Sequence, residues 1–146
     1  MKRSELREHL FLMLFRKDFH PKEELNEQAS LYLNALENLK IEEENSLRIP
    51  TEEETIYLEH RFADVIDKLD EIDAKIEKAS VGWKLNRMGK VELTIIRLAT
   101  FEMDYDKEIP TGVAINEAVE LAKKFGEDNS PGFVNGILAK LTDEES

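Results

Sequence analysis

The chain has 146 residues, of which 41% are hydrophobic and 36% charged, and its net charge is −12. This length predicts a single domain, residues 1–146, with a core that needs neither metal nor disulfide. The absence of cysteine excludes disulfides, thiolate zinc sites and cysteine nucleophiles. The acidic balance disfavours indiscriminate binding to nucleic acid or anionic membranes, so any RNA contact must be local.

An all-α fold is predicted, because prolines and glycines are few and no segment alternates apolar with polar residues for long. The longest wholly apolar run, residues 10–15, is far too short to cross a bilayer, and the amino terminus lacks an apolar signal core. We therefore expect a cytoplasmic protein.

The first half of the chain predicts three helices. The first begins near Ser4 and is buried on more than one side, and the second covers residues 25–39 before an acidic loop at 42–49. Thr51 and Glu54 have the spacing of a capping box that opens a long third helix. Its apolar stripe comprises Leu58, Phe62, Val65, Leu69, Ile72 and Ile76.

The second half predicts a central helix over residues 91–103, which is apolar almost all round. An amphipathic helix over 113–125 follows, closed by Gly126 in a left-handed conformation. Ser130 is predicted to cap a last helix through its side chain, with Pro131 in the first turn. Six or seven helices result.

No enzymatic motif is recognisable: there is no nucleophile elbow, phosphate loop or dinucleotide fingerprint. The histidines lie on different predicted elements without metal-binding spacing, so we expect them at the surface. A solvated face is the interpretation for the carboxylates Asp67, Asp70, Glu71 and Asp73. Arg97, in the central helix, is expected to form a bridge with Glu117 or Glu120.

Two features could contact RNA. Lys2, Arg3 and Arg7 form a basic cluster on a mobile arm that leads into the first helix, although acidic residues interrupt it. Phe133, just after a helix start, is either a core anchor or an exposed platform on which an unpaired base could stack. Taken alone, a charged terminus and a buried aromatic are the ordinary interpretations of both features.

Three blocks of sequence resemble the NusB transcription antitermination family. They are VELTIIRLATFEM at 91–103, IPTGVAINEAVELAKKFG at 109–126 and FVNGIL at 133–138, in the order and spacing of that family. The resemblance extends to residues 7–15 and to the segment from Trp83 to Arg87, whereas residues 25–76 are supported by helix pattern more than by identity.

The resemblance implies an all-α fold of two packed three-helix bundles, without catalytic activity or cofactor. NusB-like proteins bind the boxA element of nascent ribosomal RNA leaders together with the ribosomal protein NusE, and help RNA polymerase read through terminators. When the functional positions of the family are matched to this sequence by motif, the residues expected to face RNA are Lys2, Arg3, Arg7 and Phe133. Those expected to face NusE are Phe15 and Glu92. The thin basic arm predicts weak RNA binding without NusE, and a homodimer stays open.

Two alternatives remain. Ribosomal RNA cytosine methyltransferases resemble NusB at their amino-terminal domain, so the chain could be an accessory module for RNA modification. Because no methyl-donor domain follows before Ser146, that alternative requires a separate catalytic partner. The other is a protein-interaction or dimerisation module that has lost RNA binding, as the net charge of −12 suggests.

Overall fold

The computed structural model describes residues 1–16, 29, 48–80, 85 and 88–145. These residues contain helices and no strand, which confirms the predicted all-α fold. The six described helices are α1 (Arg3–Arg16), α2 (Glu52–Asp67), α3 (Leu69–Ala79), α4 (Lys90–Tyr105), α5 (Thr111–Phe125) and α6 (Ser130–Glu145). Apart from Ala29, the predicted helix at 25–39 lies outside the described residues. No described helix has the length and apolarity needed to cross a membrane.

Two compact units divide the chain, Met1–Ile66 and Asp67–Ser146. The boundary falls where the sequence predicts one uninterrupted helix from Thr51 to Ile76, and that prediction is wrong. Lys68 separates α2 from α3 with φ −97° and ψ 2°, outside helical values. Neither glycine nor proline stands at this point, so the sequence carries no local signal for the break.

In the first unit, α1 is buried nearly all round, because polar as well as apolar side chains face inward. His9 is fully buried, and its Nε2–H donates a 2.8 Å hydrogen bond to the carbonyl oxygen of Arg48. Burial lowers the pKa of His9, so the ring is neutral at neutral pH. The predicted surface position is wrong for His9 and confirmed for His60, while His20 lies outside the described residues.

The capping box at the start of α2 is confirmed. The Thr51 N–H donates to Glu54 Oε1 at 2.9 Å, and the Glu54 N–H donates to Thr51 Oγ1 at 3.2 Å. Glu54 also pairs with the Met1 ammonium at 2.9 Å. The backbone hydrogen bond from Thr51, followed by that ammonium, lowers the pKa of Glu54 to about 2.

In the second unit, α4, α5 and α6 pack on one another, and α3 packs against α4 and α6. Ten consecutive residues of α4, 93–102, are buried, which confirms it as the central helix of this unit. A helix surrounded by three others must be apolar on every side, as its sequence indicates.

Arg97 projects from α4 toward α3, where Asp73 accepts from its Nε at 2.7 Å and its Nη2 at 2.8 Å. This bidentate pair corrects the predicted bridge to Glu117 or Glu120, since the face of α4 that carries Arg97 meets α3. It also corrects the interpretation of Asp73 as part of a solvated face. Glu120 pairs with Lys123 on its own helix at 3.2 Å.

Two further links join α3 to α4. Lys75 Nζ donates to both carboxylate oxygens of Asp104, at 2.8 and 2.9 Å. The Tyr105 hydroxyl donates to Glu71 at 2.6 Å, and this hydrogen bond raises the pKa of Tyr105 to about 12. The acidic face of α3 therefore serves largely to hold α4.

Candidate functional site

A cavity of about 310 Å³ lies in the second unit, where the start of α4 meets the turn that leads into α6. Its lining combines apolar, acidic and amide side chains. The lining residues are Met88, Gly89, Glu92, Glu127, Asn129, Ser130 and Phe133. The cavity thus brings together two residues that the sequence assigns to different surfaces, Glu92 and Phe133.

Ser130 links the turn before α6 to α4 at this site. It is only 1% exposed, its Oγ accepts a 2.9 Å hydrogen bond from the Glu127 N–H, and its hydroxyl donates to Glu92 Oε1 at 2.5 Å. The predicted start of α6 at Ser130 is confirmed, but the predicted side-chain cap is wrong. The hydroxyl bonds backward to the turn and across to α4, because the fold places Glu92 within its reach.

Two glycines make room for this pair. Gly126 has φ −98° and ψ −166°, an extended conformation that corrects the predicted left-handed one. A Cβ atom there would lie 2.6 Å from both Cβ and Oγ of Ser130 and 2.8 Å from the carbonyl oxygen of Ala122. A Cβ atom at Gly89 would overlap the Glu92 carboxylate. Gly126 is therefore required by close approach to Ser130 and to the backbone, whereas a side chain at Gly89 would displace the Glu92 carboxylate.

Phe133 is half-buried at the cavity wall, one helical turn after Ser130. Its backbone N–H donates to the carbonyl oxygen of Asn129 at 3.2 Å. The side chain is thus neither a fully buried anchor nor a fully exposed platform. A half-buried ring has one part fixed by packing and another part within reach of a ligand in the cavity.

The outer lining is polar and exposed at Glu127 and Asn129. Within the described part of the chain, neither the Glu127 carboxylate nor the Asn129 amide makes a hydrogen bond or ion pair. Asp128, between them, is also exposed. Glu127 and Asn129 are not among the predicted site residues, although their position just before Phe133 is a signal that could have identified them.

The predicted basic cluster lies in the first unit. Lys2 and Arg3 are exposed, whereas Arg7 is only 5% exposed. α1 begins at Arg3 and the Met1 ammonium is paired with Glu54, so the predicted mobile arm is instead a held helix start. The RNA-binding role of Lys2, Arg3 and Arg7 stays a prediction.

The two residues predicted to face NusE lie in different units. Phe15 is half-buried in the first, with its ring stacked on Phe11 at 6.0 Å between centroids and 29° between planes. Glu92 is half-buried in the second, bound to Ser130. Their partner role stays a prediction. Among the described residues, no cluster of three or more histidine or acidic side chains could hold a metal ion.

Comparison with known proteins gives a consistent result. The model of the NusB family matches residues 4–143. The transcription antitermination protein NusB of Lachnoclostridium phytofermentans is 55% identical over 143 residues, which cover 98% of this chain and 100% of that protein. The structure is similar to T. maritima NusB, with a TM-score of 0.79, 31% identity, and coverage of 99% of this chain and 92% of that one.

A second solved structure bears on partners. It is a crystal structure of antitermination factors NusB and NusE in complex with dsRNA, and a chain of it matches with a TM-score of 0.75 and 25% identity. The match covers 97% of the present chain and 96% of that one.

Proposed function

This chain belongs to the NusB family, and we propose that it is a transcription antitermination factor that binds boxA RNA of nascent ribosomal RNA leaders together with NusE. It acts as one RNA-binding domain in the cytoplasm, within the antitermination complex of RNA polymerase, and performs no catalytic step. Antitermination is the function in the name of the 55% identical relative, and NusE and RNA accompany NusB in the solved complex.

The observation that carries the RNA-binding proposal is the position of Phe133, half-buried at the wall of an open cavity. Unpaired bases are commonly bound by stacking on an aromatic ring and by hydrogen bonds to their edges. Polar groups at Glu127 and Asn129 stand beside the ring to make such hydrogen bonds. The cavity therefore offers both elements of single-strand recognition.

Lys2 and Arg3 supply the phosphate contacts of this proposal, because both are exposed cations at the start of α1. Arg7 stays in the predicted set as a residue that would have to turn outward, since 5% of it is exposed. With a net charge of −12, the chain repels RNA at long range. A basic partner protein would offset that repulsion, which is why NusE binding and RNA binding belong together.

The test is a fluorescence-anisotropy titration of labelled boxA RNA and a scrambled RNA, each with and without NusE. We expect weak, salt-sensitive binding to the chain alone and tighter, boxA-selective binding with NusE. Phe133→Leu should weaken boxA binding in the complex about tenfold, because stacking on an aromatic ring is worth about 1–3 kcal/mol per base. Equal affinities for both RNAs, with and without NusE, would refute the proposal.

A charge-matched pair of variants isolates the phosphate contacts. Lys2→Ala with Arg3→Ala removes two exposed cations at the start of α1, and Lys78→Ala with Lys107→Ala removes two exposed cations elsewhere. The first pair should reduce the slope of log affinity against log salt by about 1.4, whereas the second should leave it nearly unchanged.

The net charge favours a second candidate, a protein-interaction or RNA-modification accessory module without RNA binding of its own. Substitution of Arg3, Arg7 and Phe133 separates the two candidates. Loss of boxA binding with the helical circular dichroism intact would reject the second candidate.

A further inference from the structure

We propose that the cavity beside Phe133 selects a guanine base of single-stranded RNA, whose Watson–Crick edge is bound by the Glu127 carboxylate. This inference rests on the proposed function. It specifies which base the site selects and which residue recognises that base. The cavity volume of about 310 Å³ lies at the lower end of the range for ligand pockets, so one base fits within it.

The hydrogen bonds within the cavity determine which polar groups remain for a ligand. Ser130 and Glu92 bind each other at 2.5 Å, so the serine proton is already donated. Among the described residues, the Glu127 carboxylate and the Asn129 amide have no such partner. Ser130 and Glu92 are therefore occupied by their mutual hydrogen bond, whereas the Glu127 carboxylate and the Asn129 amide can bind a ligand.

Hydrogen bonds hold the backbone of Glu127 in place, so its side chain starts from a fixed position. Its N–H donates to Ser130 Oγ at 2.9 Å, and its carbonyl oxygen accepts from the Ser130 N–H at 3.0 Å. Because the backbone is already ordered, ligand binding has to order only the Glu127 side chain.

A carboxylate offers two acceptors and no donor. Guanine alone presents two adjacent donors, N1–H and the 2-amino group, on its Watson–Crick edge. Adenine and cytosine place a ring-nitrogen acceptor beside their amino group, and uracil flanks its single N–H with two carbonyl oxygens, so each would set an acceptor against the carboxylate. The Asn129 amide, two residues along the turn, can donate to O6 of the same guanine.

The charge around the cavity argues for a base within a strand and against a free nucleotide. Glu92 and Glu127 line the cavity and Asp128 adjoins it in sequence, so three carboxylates in or beside the cavity repel a phosphate group. In a strand, the ribose and phosphate can stay outside while the base enters, because single-stranded bases can be splayed out.

The first experiment replaces each guanine of boxA RNA in turn with inosine, which lacks only the 2-amino group, and measures affinity for the complex with NusE. We expect one position to lose about tenfold in affinity, the loss expected for breaking one half of a bidentate contact to a charged group. Unchanged affinity at every guanine would overturn the inference. Displacement of the RNA by guanosine 5′-monophosphate would overturn the strand-bound source of the base.

Two adjacent variants separate recognition from charge. Glu127→Gln and Asp128→Asn each remove one negative charge from the same turn, but only Glu127 lines the cavity. Charge removal alone strengthens RNA binding equally in both. If Glu127 contacts guanine, E127Q reduces the guanine-to-inosine ratio from about tenfold to about twofold or less, while D128N retains it. Equal ratios in the two variants and the unsubstituted protein would contradict the role of Glu127.

The proposed function and the guanine site are contradicted by different results. Loss of the boxA preference over scrambled RNA in the unsubstituted complex contradicts the proposed function. Retention of that preference with no inosine-sensitive position contradicts only the guanine site.

Discussion

The starts of α2 and α6 both pair a hydroxyl side chain with a glutamate, yet they are built differently. At α2, Thr51 and Glu54 stand three residues apart and exchange hydrogen bonds at an exposed helix end. At α6, Ser130 is buried and donates to Glu92, which lies 38 residues earlier in the chain. The first pair stabilises its own helix, whereas the second joins α6 to α4.

This difference explains why the start of α6, and not the start of α2, forms part of a ligand cavity. A local pair satisfies backbone groups of one helix and can form without any tertiary partner. A distant pair forms only after two helices have packed, so it fixes their relative position. Phe133 follows the distant pair by one turn, and the cavity wall therefore depends on the contact between Ser130 and Glu92.

The largest effect should come from Gly126→Ala. Its new Cβ would meet Ser130 and the carbonyl oxygen of Ala122, so we expect a loss of about 3 kcal/mol in the free energy of unfolding. Gly136→Ala is the matched control, because a Cβ at this position in α6 meets nothing within 4 Å. It should stabilise the protein by about 0.5–1 kcal/mol. Urea denaturation measures both, and a neutral G126A would show that the turn has room to move.

A smaller effect is expected from Ser130→Ala, about 2 kcal/mol, because the Glu127 N–H and the Glu92 carboxylate both lose a partly buried hydrogen bond. Thr51→Ala should cost about 1 kcal/mol, the usual value for an exposed cap. Double-mutant cycles with Glu92→Ala and Glu54→Ala measure each coupling. Equal coupling energies for the local and the distant pair would contradict the difference between the two helix starts.

The smallest expected effect is on the stability of the protein at acid pH. Since the folded-state pKa of Glu54 is about 2, below its usual value, the folded state holds the charged form more strongly than the unfolded state does. That contribution is complete above about pH 5 and is lost as the pH falls toward 2. Glu54→Gln keeps a hydrogen-bonding side chain without this titration, so its urea midpoint should fall less steeply between pH 5 and 2. Glu53→Gln, in the same helical turn, should follow the unsubstituted protein.

Local sequence signals predicted those parts of the structure that neighbouring residues determine. The capping box at Thr51, the central helix around residues 93–102 and the start of α6 at Ser130 are confirmed. Predictions that required a distant partner were wrong in specific ways. Arg97 pairs with Asp73, and His9 is buried against the carbonyl oxygen of Arg48, because packing brings those groups into reach.

The candidate site was predicted only in part for the same reason. The motif resemblance identified both Phe133 and Glu92, but it assigned them to separate partners. The structure places both on one cavity and adds Glu127 and Asn129 to it.

By itself, the sequence determined the helical class, the family and the positions of most helix ends, since hydrophobic period, caps and motifs are properties of short segments. Only the tertiary structure decided what Ser130, Gly126 and Glu92 do. Their roles depend on distances between residues that are far apart in the chain, and those distances are set by how the helices pack.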